Sequence, residues 1–85
     1  VLHDDTLNAE KQLIQEQMYD DVRELINGLP EEQKEVLVMR MYKDMSFKEI
    51  SENTGVSINT ALGRMRYALI NMRKLIEKHH LVLVN

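Results

Sequence analysis

Ile14, Met18, Val22, Leu25 and Leu29 recur at spacings of four, four, three and four, with polar and acidic residues between them. That period draws a single apolar stripe along a helix. Asn27-Gly28 predicts a left-handed stop, and Pro30 suits the first turn of a second helix, where Glu31 and Glu32 complement the positive end of the dipole. This second helix, about Pro30 to Lys43, is expected to turn Val36, Leu37, Met41 and Tyr42 inward. Ser46 followed three residues later by Glu49 has the spacing of a capping box. It opens a short third helix, about Phe47 to Asn53, with Phe47 and Ile50 facing the core. Thr54-Gly55 breaks that helix, Ser57 caps again, and a longer fourth helix runs from about Ile58 to Lys78. Its apolar positions Ala61, Met65, Ala68, Met72 and Leu75 are spaced four, three, four and three.

Neither strand alternation nor an internal repeat competes with this pattern. The fold class expected is all-α, four helices with a C-terminal helix-turn-helix. One helical domain is expected over 1–85, with an acidic N-terminal helix at 1–28, the helix-turn-helix unit at 29–80 and a tail at 81–85. The apolar run Leu81 to Val84 has no visible partner in the pattern.

Composition narrows the class. The chain has 85 residues, 44% hydrophobic and 29% charged, which supports one small core rather than a disordered tail. It has no cysteine, and so no disulfide framework, thiol nucleophile or cysteine-ligated zinc, which suits a reducing compartment. Apolar runs reach only four residues, far short of the roughly 20 that cross a bilayer. A cytoplasmic piece of a longer protein is expected, since the chain opens at Val1 with no signal-peptide pattern.

The net charge of −3 conceals an asymmetry. Residues 1–42 carry a net −6 and residues 43–85 a net +3, and from Val56 to His80 five cations face only Glu77. Screening over about 8 Å lets such a local cluster meet a polyanion that the total charge would repel.

The stretch Ser46 to Leu69 sets a short capped helix, a Gly-centred turn and a longer helix in succession, the layout of a helix-turn-helix. Ser51 must be small where the second helix crosses it, Gly55 tolerates a positive φ, and Ile50, Val56 and Ala61 hold the interhelical angle. With Ala61, Met65, Ala68 and Met72 inward, the opposite face presents Asn59, Leu62, Gly63, Arg66 and Arg73. Asn59 offers a bidentate amide to adenine and Arg66 a fork to guanine or phosphate, while Leu62 suits a thymine methyl group. Gly63 lets a backbone approach. Arg64, Lys48 and Lys43 suit phosphates, as do the free N–H groups near Ser57 and Thr60. The residues expected to bind DNA are Lys48, Ser57, Ile58, Asn59, Thr60, Leu62, Gly63, Arg64, Arg66 and Tyr67.

Other side chains have plainer readings. Arg40 is expected to partner a carboxylate, and Lys74 and Lys78 to favour the negative end of the last helix. His79 and His80 point apart and lack further ligands at metal spacing, so no metal or cofactor is expected. The methionines read as packing, Tyr19, Tyr42 and Tyr67 as partly buried edges, and Asp4-Asp5 and Asp20-Asp21 as solvated faces. No phosphate loop, H-E-x-x-H or nucleophile–base pair supports catalysis, so the chain is not expected to be an enzyme.

The runs Leu29-Pro30-Glu31-Glu32-Gln33-Lys34-Glu35-Val36-Leu37, Met45-Ser46-Phe47-Lys48-Glu49-Ile50-Ser51 and Gly55-Val56-Ser57-Ile58-Asn59-Thr60, with Arg64, resemble the promoter-recognition domain of bacterial sigma factors. The likeness is to region four of the extracytoplasmic-function type and covers about Leu25 to Lys74. The chain departs from that pattern at Ser51 and Ala61, usually alanine and valine, and at Leu62 and Tyr67, where cations are common. The resemblance implies a domain that docks on the −35 promoter element with its fourth helix in the major groove. It implies contact with the β flap of core RNA polymerase, an anti-sigma factor as a further partner, and no membrane association. Promoter melting belongs to a different region of such factors.

Two alternatives remain at this point. One is the DNA-binding end of a response-regulator-like activator, against which stands Leu29-Pro30-Glu31-Glu32-Gln33 in place of the usual opening. The other is a helical protein-interaction module that no longer binds DNA, favoured by the acidic total, Leu62 and Tyr67.

Overall fold

The computed structural model describes the backbone of residues 4–79 and the side chains of residues 8–79. His80, the 81–85 tail and the Asp4-Asp5 side chains lie outside the described residues. Four helices follow in order: α1 (Asp4–Asn27), α2 (Glu31–Met41), α3 (Phe47–Thr54) and α4 (Ile58–Lys78). No strand occurs among the described residues.

The expected caps are present. Ser46 Oγ accepts from the Glu49 N–H at 3.1 Å while Glu49 Oε1 accepts from the Ser46 N–H at 3.1 Å, the reciprocal pair of a capping box. Ser57 Oγ accepts from the Thr60 N–H at 3.1 Å and opens α4. Pro30 stands just ahead of α2, and its carbonyl accepts from Lys34 at 2.9 Å.

Gly55 is left-handed as expected, but the left-handed stop expected at Asn27-Gly28 is absent. Among the described residues positive φ occurs at Gly55 (70°) and Asp44 (50°), and Gly28 is not among them. At Gly28 the N–H instead donates to the Leu25 carbonyl at 2.9 Å, and a Cβ would press on that same oxygen at 3.2 Å. Asp44 carries the stop after α2, where the Met45 N–H reaches back to the Met39 carbonyl at 3.1 Å. This return is one residue wider than a Schellman ending, and aspartate is among the few non-glycine residues that adopt the left-handed conformation at low cost.

That ending also corrects the inner face of α2. Val36, Leu37 and Met39 are buried, whereas Met41 is 61% exposed and Tyr42 is exposed too. The helix stops at Met41 and the chain turns away, which leaves both uncovered among the described residues. Tyr19 and Tyr67 are likewise exposed rather than half-buried.

α4 is the element on which the others converge: α2 and α3 pack along it and the C-terminal end of α1 meets it. Ile50 and Val36, both fully buried, stand at the centre with Ala61 and Ala68. The alanines let the helices approach closely, and Met65 and Met72 fill the remaining gaps. The core takes in Leu25, Ile26 and Leu29 but not the start of the α1 stripe, since Ile14 is 51% exposed. α1 therefore projects as a rod. The molecule measures 56 × 27 × 17 Å, and its radius of gyration of 16.2 Å exceeds the roughly 12 Å of a compact chain this long.

Candidate nucleic-acid interface

The α3–α4 turn is built around Ser51. Its carbonyl accepts from the Val56 N–H at 3.2 Å and from the Gly55 N–H, and its hydroxyl donates to the Val56 carbonyl. Thr54 Oγ1 donates to the Ile50 carbonyl at 2.7 Å. Gly55 supplies the left-handed link, and Val56 tucks against the core. Small size alone singles out Ser51 in the sequence; the hydroxyl's hold on the turn is seen only in the structure.

This turn fixes how α4 leaves the core. Its inner row Ala61, Met65, Ala68 and Met72 is buried, so the row at positions 59, 62, 63 and 66 faces away. Asn59 and Arg66 are exposed, Leu62 is 44% exposed and Gly63 half-buried. A Cβ at Gly63 would meet nothing within 4 Å, so packing inside the chain does not demand glycine there. Ser57, Ile58 and Thr60 are exposed at the start of the helix, Tyr67 is exposed one turn beyond Gly63, and Lys48 is exposed in the first turn of α3.

Ser57 already occupies the Thr60 N–H, and its hydroxyl also donates to Thr60 Oγ1 at 3.0 Å. The expectation that this N–H is free is corrected; the first-turn donors left are those of Ile58 and Asn59.

Arg64 stands apart from the outward row. Its side chain is 23% exposed, and Nη2 lies 3.6 Å from Glu32 Oε2 on α2, while the Glu32 side chain is 72% exposed. The next residue, Gln33, accepts from Asn71 Nδ2 at 2.7 Å. The first turn of α2 thus borders α4 from Arg64 to Asn71, a clamp between residues 38 apart that no sequence signal announced. Arg73 Nε lies 3.7 Å from Glu77. Arg66 makes no ion pair among the described residues. Lys43 lines a groove along α2 with Glu31, Lys34, Glu35, Val38 and Met39.

Two hydrogen bonds from Ser46, the backbone N–H first and then the hydroxyl, hold the Glu49 carboxyl below the usual carboxylate range. Among the described residues no three His, Asp or Glu side chains form a metal-binding group, nor is any helix long and apolar enough to cross a membrane.

Comparison with known proteins bears directly on this arrangement. The family model for Sigma-70, region 4, matches residues 19–69. The chain belongs to the sigma-70 region 4 family. The RNA polymerase sigma factor SigV of Bacillus subtilis (strain 168) is 34% identical over 61 residues, which is 72% of this chain and 37% of that protein. No solved structure matches the chain. The resemblance to region four of an extracytoplasmic-function factor is borne out, and with it the all-α fold. As a sigma-70 region 4 domain the chain is a non-enzymatic DNA-binding module of transcription initiation, and the response-regulator reading falls away. The matched span contains α3, the turn and α4 as far as Leu69, so the first part of α1 and the end of α4 lie outside it.

Proposed function

We propose that this region 4 domain recognises the −35 promoter element, with α4 in the major groove and with Asn59, Leu62, Gly63 and Arg66 toward the base edges. Lys48, Tyr67 and the α4 start at Ser57, Ile58 and Thr60 contact the backbone, with Arg64 flanking them. The remaining surfaces meet the β flap of core RNA polymerase and, in the regulated state, an anti-sigma factor, all in the cytoplasm. One observation carries the reading. Along the first turns of α4 every side chain suited to base contact is uncovered, while the row behind it is sealed in the core.

The mechanism is positional. Phosphate contacts set the register of the helix on the duplex and base-edge contacts supply the sequence information. With few free cations and a net charge of −3, the domain alone binds weakly. Tethering to polymerase through the rest of the factor raises its effective concentration at the promoter.

A fluorescence titration with duplex DNA tests this. Log affinity is expected to fall with log salt at a slope of roughly −3, from three or four phosphate contacts. Arg66→Ala is expected to cost about 1–3 kcal/mol, concentrated at one base position. Salt-independent binding, or none when the domain is held on polymerase, would return the chain to the protein-interaction reading.

A further inference from the structure

We propose that Glu32 is a built-in brake on DNA affinity: it occupies the Arg64 guanidinium, so that this cation reaches a phosphate only by leaving a carboxylate of its own chain. The proposal rests on the DNA-binding reading above.

Three features converge on it. Arg64 is the least exposed cation of α4, half-buried and 3.6 Å from Glu32, whereas Arg66, two residues on, is exposed with no ion pair among the described residues. Glu32 keeps most of its side chain in solvent, so its charge also faces whatever approaches that flank of α4. The first turn of α2 is held against α4 beside this pair, because the adjacent Gln33 side chain accepts from Asn71 Nδ2 of α4 at 2.7 Å. A carboxylate 3.6 Å from a guanidinium offsets much of its charge at short range. The electrostatic footprint offered to DNA is then one cation smaller than the sequence count.

The effect is confined to the sequence-independent part of binding. Phosphate contacts carry no base information, so releasing Arg64 strengthens promoter and random duplexes alike. A released contact adds about 0.9 to the salt slope, which corresponds to roughly eightfold in affinity at 0.1 M salt. Glu32 thereby keeps the unassisted domain from settling on DNA at random and leaves occupancy to depend on the tether and on the bases.

The test compares Glu32→Gln with Glu31→Gln in the 85-residue chain. Both remove one negative charge from the first turn of α2, but only Glu32 pairs with Arg64. Affinity for a promoter duplex and a random duplex is measured by fluorescence anisotropy across a salt series, with thermal melts confirming that each variant is folded. The expected result is a gain of roughly five- to tenfold for Glu32→Gln, equal on both duplexes and accompanied by a steeper salt slope. Glu31→Gln is expected to gain clearly less, and adding Arg64→Ala to Glu32→Gln to abolish the gain. Equal gains for the two glutamines, or a gain that survives Arg64→Ala, overturn the brake while leaving DNA binding intact. Absence of DNA binding by every variant overturns the underlying reading instead.

Discussion

The guanidinium of Arg40 lies 5.0 Å from the centre of the Phe47 ring, and its Nη1 donates to the Met45 carbonyl at 2.9 Å. The partner is thus a ring and a peptide oxygen, where a carboxylate was expected. Arg40 closes the α2–α3 link across the left-handed turn at Asp44. Stacking on a ring and donating to a carbonyl together suit a planar guanidinium better than an ammonium. Arg40→Ala is expected to lower stability by about 1–2 kcal/mol. Arg40→Lys should recover only part of that loss in thermal unfolding; full recovery would mean that charge alone matters there.

Gly55 and Gly63 both have open space where a Cβ would stand, yet alanine should act in opposite directions at the two sites. At Gly55 the backbone is left-handed, and alanine is expected to destabilise by about 1–2 kcal/mol. At Gly63 the backbone is helical, and alanine is expected to stabilise by up to about 1 kcal/mol. Chemical denaturation of the two variants reads both signs. If Gly63→Ala also weakens DNA binding while raising stability, the glycine serves the interface at the helix's expense.

The capping box makes stability depend on pH. Glu49 has its folded-state pKa lowered, so its contribution is fully present above the ordinary carboxylate range. It is lost as pH falls through the lowered value, because protonation removes the charge that accepts from the Ser46 N–H. Melting temperatures of the parent chain and Glu49→Gln should therefore differ at neutral pH and converge in acid. A gap that stays constant with pH would assign the cap to geometry rather than charge.

The projecting half of α1 gives a direct contrast. Leu25 is buried and Ile14 exposed, although both lie on one stripe. Leu25→Ala is expected to cost about 2–3 kcal/mol, and Ile14→Ala to stay within about 0.5 kcal/mol. Equal losses in urea unfolding would show that the stripe is covered along its whole length in solution.

Much of the fold was legible because its signals are local. The faces of α4, the capping box at Ser46 and Glu49, the cap at Ser57 and the left-handed Gly55 depend on residues within about one turn of each other. Period and cap chemistry therefore determine them from the sequence alone. The outward row Asn59, Leu62, Gly63 and Arg66 follows from the same period once Ala61 and Met65 are taken inward. Tertiary structure decided the rest, because coverage depends on where a neighbour begins and ends. α1 meets α4 only at its C-terminal end, which buries Leu25 and leaves Ile14 in water. α2 ends in a turn at Asp44, which exposes Met41 and brings Arg40 to Phe47. Arg64 and Arg66 look alike as letters two places apart. Only the approach of Glu32 from another helix makes one a paired cation and leaves the other open to the solvent side.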